Sequence, residues 1–516
     1  MAEVAVDERR LLKTLRWYDG FVIGLANPGF LLVGLAFSII ALGGTIAAIL
    51  WAISGLIGSL QAYVYAEPAA MFPDKPGGLS VYAREGWRKY FSLAGPIAVF
   101  GYWFAWSSVL AVYGGFIGLL IFKEFFPDAD PLITSLGFLP DITWPRIVGL
   151  AAILSCYFFN VRGMRPAVAF SYVVGALMLL PVIVIAVGPF LTSDFGNFPL
   201  STEGDFLAGT TAFYGFGEGF GGKFVLIMTW LYVIGWSSYG PESAATFAPE
   251  FKDTKNDTRK ALAANGILNV VLALLLPIAV VGTIGYDAIL GDLSGVVYLV
   301  DVMHAIAGNA LGTVLTICLC GGLLLSMNTA TMDGSRALYA LAEEGMTLKQ
   351  LGVLNTHNVP SRAMTVDMVL NVVLLFAFPS IFFILAAGNL GYMLSHVLAL
   401  SGVLLLRRDR PNWPRPLKLA SPWMVAAAVF AVANLLFIVF GLLGIAMTGY
   451  AWDFNFTDPR AFLGQIIIVG VLALAAGVIG YLIALKQHGK KFKMSDPSEE
   501  QPSQEALETA GMAAAR

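Results

Sequence analysis

The sequence predicts an all-α polytopic membrane protein with twelve transmembrane helices. Three observations predict it. Of 516 residues, 58% are hydrophobic and only 13% are charged, against roughly a quarter charged in soluble domains. Mean hydropathy is high, at +0.76. The apolar residues also gather into runs of about 20, the length that crosses a bilayer. Between the runs stand Gly, Pro and charged residues, as loops require. A soluble chain of this length would form about three or four domains and need charge to clothe them. The composition therefore excludes a soluble multidomain enzyme, a nucleic-acid binder and a disordered scaffold.

The elements follow in order. Residues 1–19 (MAEVAVDERRLLKTLRW and the two that follow) lack the apolar core of a cleaved signal peptide and read as a cytoplasmic N-terminal segment. Spans are predicted at 20–42, 46–69, 95–121, 146–160, 166–191, 224–249, 261–284, 309–341, 363–383, 384–406, 421–447 and 463–485. With the N-terminus inside, 27 of the 31 basic residues fall on cytoplasmic segments, as the positive-inside rule requires. Only Lys123, Arg146, Lys223 and Arg460 fall outside, where the loops carry acidic residues such as Asp128, Asp194, Glu203 and Asp292. The long loop at 286–308 is expected to hold short helices. Residues 494–516, rich in Pro, Ser and Glu, read as a disordered cytoplasmic tail. Cys156, Cys318 and Cys320 lie in apolar runs without a histidine at metal-ligand spacing, so they read as packing residues. No metal, cofactor or catalytic residue set is expected.

Two spans carry interruptions. The first holds Ala26-Asn27-Pro28-Gly29, and the sixth holds Ser237-Ser238-Tyr239-Gly240-Pro241-Glu242. Irregular backbone at membrane depth is tolerated where it lines a cavity. Matched breaks in two halves mark a transporter's binding site, with freed N–H groups for anions and C=O groups for cations. If spans 1–5 and 6–10 are inverted repeats, over 20–191 and 224–406, these breaks correspond. Residues 421–485 then supply two appended spans.

Four stretches resemble the amino acid–polyamine–organocation (APC) superfamily of secondary transporters. They are AEPAAMFPDKPGGLSVYAREG (66–86), GWSSYGPESAATFAPEFKDTKNDTRKAL (235–262), LLLSMNTATMDGSRALYALAEEGM (323–346) and AAGNLGYMLSHVLALSGVLLLRRDR (386–410). The resemblance covers about 20–485. It implies a LeuT-type five-plus-five inverted repeat with two extra helices, alternating access, and proton- or sodium-coupled uptake or exchange in a bacterial inner membrane. It places the substrate between spans 1, 3, 6, 8 and 10. Two departures stand out. Pro28 has no N–H to give a substrate carboxylate where the family offers a Gly-Ser-Gly-type run. Span 5 has no lysine to stand in for sodium.

The candidate substrate-binding residues are Ala26, Asn27, Gly29, Tyr102, Trp106, Ser237, Ser238, Tyr239 and Gly240. The aromatics could cover a substrate or its amine by cation–π contact. Glu242, directly after the second break, is the first candidate for gating or carrying a proton, and His396 in span 10 is the second, since ionisable groups in a bilayer default to function. Ser326 and Asn328 offer oxygens that could hold sodium with carbonyls of the first break. Asp333 and Arg336, three apart on one helix, are expected to pair locally, and Asp367 to reach cytoplasmic water. Glu67 and Glu250 are expected to organise loops with nearby basic residues. The predicted function is secondary transport of an amino acid or related amine. The alternatives are a solute without a carboxylate, such as an organic cation, polyamine or nucleobase, and a non-transporting receptor or channel. The expected partners are a small-molecule substrate, H+ or Na+, and the lipid bilayer.

Overall fold

In a computed structural model of the chain, the described residues are 11–135, 137, 140–191, 220–290, 295–378, 381–447, 459–496 and 501–511. Asp194, Glu203 and Asp292 of the predicted outer loops lie outside them.

The first apolar run is split into α1 (Trp17–Gly24) and α2 (Asn27–Leu42). Gly43 alone separates α2 from α3 (Gly44–Val64). Its φ of 76° is a left-handed conformation open to glycine at no Cβ cost, so the chain reverses within one residue. Then come α4 (Ala66–Met71), α5 (Leu79–Trp87), α6 (Ala94–Ser107) and α7 (Val109–Phe125). A hairpin of β1 (Leu132–Thr134) and β2 (Ile142–Thr143) leads to α8 (Trp144–Val161), opened by Pro145 where a missing N–H costs nothing. The first half closes with α9 (Met164–Leu191).

The second half begins with α10 (Phe220–Ser238), which breaks before α11 (Ser243–Thr246). The Asp253 side chain accepts from the Asn256 amide at 3.1 Å and caps α12 (Thr254–Ile284). The expected short helices appear as α13 (Tyr286–Leu290) and the opening turns of α14 (Tyr298–Glu343), which changes direction at Gly308. There follow α15 (Ser361–Ala377), α16 (Ile381–Asp409), α17 (Ser421–Met447), α18 (Pro459–Gln487) and α19 (Gln504–Thr509).

Nine helices among the described residues are long and apolar enough to cross a membrane. The predicted runs at 20–42, 224–249 and 363–383 fall on α1 with α2, α10 and α15, which are outside that nine. Along α17, Val425, Val429, Val432, Leu436 and Val439 are all exposed. That three-and-four spacing makes one outward apolar stripe, which a water-facing surface does not carry. The protein is an integral multi-pass membrane protein.

Inside, α3 packs on α12, α9 on α14, and α6 on α16. The last pair meets glycine to glycine: a Cβ on Gly101 would lie 2.5 Å from the Gly391 carbonyl oxygen. Small residues let membrane helices approach this closely. Along the chain termini, the Leu15 amide donates to the Glu250 carbonyl at 2.9 Å, and the Lys252 amide to Leu15 at 2.8 Å. The tail differs from its expected disorder, since α19 lies within it and packs on α4. Ser503 caps α19 and donates to Asp74 at 2.9 Å, Ala506 is buried, and Lys13 pairs with Glu505.

Candidate functional site

The first break is mild. Leu25 and Ala26 keep near-helical backbone angles, yet carbonyls there turn outward to partners. Ser326 Oγ of α14 donates to the Ala26 carbonyl at 2.9 Å, and Thr329 Oγ1 to the Ile23 carbonyl at 2.9 Å. Gly29 sits against the same serine, where a Cβ would come within 2.6 Å of Ser326 Oγ. The Asn27 side chain lies outside the described residues. Asn328 is not part of this group. Its amide donates to the Ala167 carbonyl and Ser171 Oγ, at 3.0 and 2.8 Å, and it accepts from Asn160 at 2.6 Å. The oxygens gathered between α1, α2 and α14 therefore come from Ser326 and Thr329, with the carbonyls they bind.

The second break is sharper. Gly240 holds φ at 148° and Pro241 follows, so the α10 ladder stops and α11 starts afresh. Ser238 bonds Ser54 at 2.5 Å, and its carbonyl accepts from Asn269 at 2.9 Å. Ser237 faces α2, where a Cβ on Gly34 would lie 2.9 Å from its Oγ. Ser238 thus fastens the break to α3 and α12, and Ser237 packs closely against α2. Tyr239 points elsewhere. Its hydroxyl donates to Asn434 at 2.8 Å, and Asn434 donates to Gln61 at 2.9 Å.

Glu242 is buried just past the break and accepts a hydrogen bond from the Tyr392 hydroxyl. Trp106 also approaches its carboxylate. Around it stand Tyr239 and His396, whose rings lie 6.2 and 5.0 Å from Tyr392. His396 Nδ1 is 2.9 Å from the Tyr65 hydroxyl. Trp106, Trp236, Tyr239 and Tyr392 line a small cavity of about 10 Å³, with Ala105 and Val109, room for about one water molecule. The aromatic side chains are closed on each other, so a solute enters only when they part.

Tyr102 connects this cluster to α14. Its ring lies 6.0 Å from both Trp106 and Tyr392, and its hydroxyl donates to Asp333 at 2.6 Å. Three sequence expectations are corrected here. Asp333 and Arg336 are not partners, because Arg336 makes two bonds to Glu250. Asp367 does not reach water. It is fully buried and accepts from Trp103. Asn328 does not join Ser326, as described. Neighbours along one helix do not dictate partners when another helix offers a better one.

The structure thus brings Tyr102, Trp106, Tyr239, Glu242 and His396 together, while Ser238 anchors the break. Sequence reasoning missed Tyr392, Thr329 and the Asp333–Tyr102 bond. Tyr392 lies four residues before His396, on the same helix face, and that spacing could have found it.

The description "amino acid permease" belongs to a family that matches residues 20–474. The branched-chain amino acid permease BcaP of Lactococcus lactis subsp. cremoris is 24% identical over 76% of this chain and 80% of its own length. A putative arginine/ornithine antiporter of Escherichia coli is 27% identical over 35% of this chain and 34% of its own. The D-serine/D-alanine/glycine transporter of Escherichia coli is 22% identical, covering 62% of this chain and 65% of its own. The chain belongs to the amino acid permease family, whose members are transporters and not enzymes.

Proposed function

We propose that this amino acid permease moves an amino acid or related amine by ion-coupled alternating access, in a bacterial inner membrane with both termini cytoplasmic. The observation that carries the reading is the second break: a buried carboxylate, Glu242, next to Gly240-Pro241 and bonded by Tyr392, which lines an aromatic cavity. A buried acid with one hydroxyl donor suits an ammonium group or a proton, and the surrounding ring faces favour a cation. Substrate contacts fall on Ala26, Gly29, Tyr102, Trp106, Tyr239 and Gly240, with gating at Glu242 and His396. Asn27, Ser237 and Ser238 shape the two breaks.

The five-plus-five inverted repeat is supported by packing. Exchanging the halves maps α9 on α14 onto α16 on α6, and α3 on α12 onto itself. The coupling ion is H+ at Glu242, or Na+ held by Ser326, Thr329 and the Ala26 and Ile23 carbonyls, since hard cations take oxygen ligands. A solute without a carboxylate is the second reading, favoured by Pro28, which offers no N–H at the first break.

A thermal-shift screen of the detergent-purified protein tests this against L-leucine, L-arginine, D-alanine, putrescine and uracil. A ligand at 100 times its Kd stabilises by about 2.7 kcal/mol. Shifts with amino acids and not with putrescine support carboxylate recognition. A shift with putrescine alone moves the substrate to organic cations. Silence across all five overturns the substrate class.

A further inference from the structure

We infer that Asp333, held by Tyr102, is a second proton-carrying residue of the transport cycle, paired with Glu242 across the aromatic cluster. The inference rests on the proposed ion-coupled reading of the same site.

The two carboxylates are built alike. Each is buried to 1% or less exposure. Each accepts one tyrosine hydroxyl, Glu242 from Tyr392 and Asp333 from Tyr102. Each keeps one oxygen, Glu242 Oε2 and Asp333 Oδ1, without a geometrically sound hydrogen bond in the structure. The two tyrosine rings are 6.0 Å apart, and Asp333 senses the charge of Glu242. The groups facing Asp333 are Tyr102, Thr246, Tyr392, Glu242 and Arg336, and those around Glu242 are Tyr392, Trp106, Tyr65, Tyr239, Tyr102 and His396, which packs on Tyr392. Arg336 is the only one of these groups that is always a cation, and its guanidinium bonds Glu250 and the Met332 carbonyl and not Asp333.

An acid buried without its own counter-cation takes up a proton or an incoming cation, because leaving the charge bare costs several kcal/mol. Two such acids within mutual reach load their protons in coupled steps. The geometry also gives Asp333 a link to the moving part of a transporter. Tyr102 of α6 binds Asp333 of α14, and its hydroxyl lies 3.5 Å from Thr246 Oγ1 at the end of α11, beyond the second break. A shift of α11 relative to α6 and α14 alters that contact and opens Asp333 Oδ1 to water. The proton arrives from water on one side, forms an O–H bond at the carboxylate, and leaves to water on the other. Tyr102 keeps its own proton throughout.

Infrared difference spectroscopy of the purified full chain, titrated from acid to alkaline pH, tests this without a substrate. Among the carboxylic-acid carbonyl bands that the wild type loses, one is expected to belong to Glu242 and one to Asp333. Asp333→Asn removes one and displaces the other, Glu242→Gln removes the other, and Tyr102→Phe shifts the Asp333 band while leaving the carboxylate in place. In proteoliposomes, using whichever compound of the five-member panel is transported, Asp333→Asn lowers the proton-to-substrate ratio by about half and removes one step of the pH profile. Unchanged bands and an unchanged ratio in Asp333→Asn overturn the inference. If the wild type transports none of the five, the proposed function fails, while the infrared bands still decide Asp333.

Discussion

Glu67, Glu85 and Glu250 are buried in this protein, and so are Glu242, Asp333 and Asp367, but the two groups are held differently. Arginine and lysine clamp the first. Arg407 donates to both oxygens of Glu67, and the Leu419 amide adds a bond at 2.9 Å. Glu85 receives Lys75, Arg84 and Arg410 at 2.9, 2.6 and 2.8 Å. Glu250 receives Arg336. The second group receives only neutral donors: Tyr392, Tyr102 and Trp103. A buried acid with a guanidinium across from it has its charge fixed and serves as a fastener. A buried acid facing a neutral donor in an apolar core can change its proton, and the proposed transport chemistry draws on two acids of this group, Glu242 and Asp333.

The largest expected effect comes from unbalancing a clamped acid. Arg336→Met strands the Glu250 carboxylate in the interior and should cost about 3–5 kcal/mol, read as a large fall in the thermal unfolding midpoint. Adding Glu250→Met should return most of it, because the pair is then replaced by apolar packing. In the tyrosine-held group, Glu242→Gln keeps an acceptor for Tyr392 and removes the ionisable proton. It should change stability by no more than about 1 kcal/mol while abolishing gradient-driven uptake. Comparable losses of stability in both variants would erase the distinction between the groups.

A smaller effect lies in pH. Burial pushes the Glu85 carboxyl up, but the charges of Arg84, Lys75 and Arg410 outweigh it and hold it well below the usual carboxylate range. With the folded value depressed, its contribution is whole above the unfolded value of about 4.3 and fades as pH falls below it. Glu85→Gln should therefore be less stable than wild type at neutral pH, with the gap narrowing in acid, as measured by unfolding midpoints across pH. The smallest effect is at the tail. Lys13→Ala removes a half-exposed ion pair to Glu505 and should cost less than about 1 kcal/mol.

Much of this was legible in the sequence. The apolar runs gave the helices, and Asn27-Pro28-Gly29 and Gly240-Pro241 gave the two breaks, because Gly and Pro act on the local backbone. Glu242 was legible since it follows a break directly. Asp333 and Asp367 were misread because their partners, Tyr102 and Trp103, come from a helix more than 200 residues away. Asn328 likewise takes partners from distant helices, turning to Asn160 and Ser171 and not to Ser326. The tail helix was missed because composition weighs its Pro, Ser and Glu but not the cap at Ser503 or the burial of Ala506.

The central claim is that a tyrosine-held acid beside the second break couples transport to an ion. Its most direct test is uptake of radiolabelled L-leucine, L-arginine, D-alanine, putrescine and uracil into proteoliposomes under an imposed pH gradient, with and without sodium, by wild type and Glu242→Gln. The account predicts that wild type accumulates at least one of them against its gradient. It predicts that Glu242→Gln, folded and of near-wild-type stability, accumulates none. Accumulation by Glu242→Gln equal to wild type would contradict it.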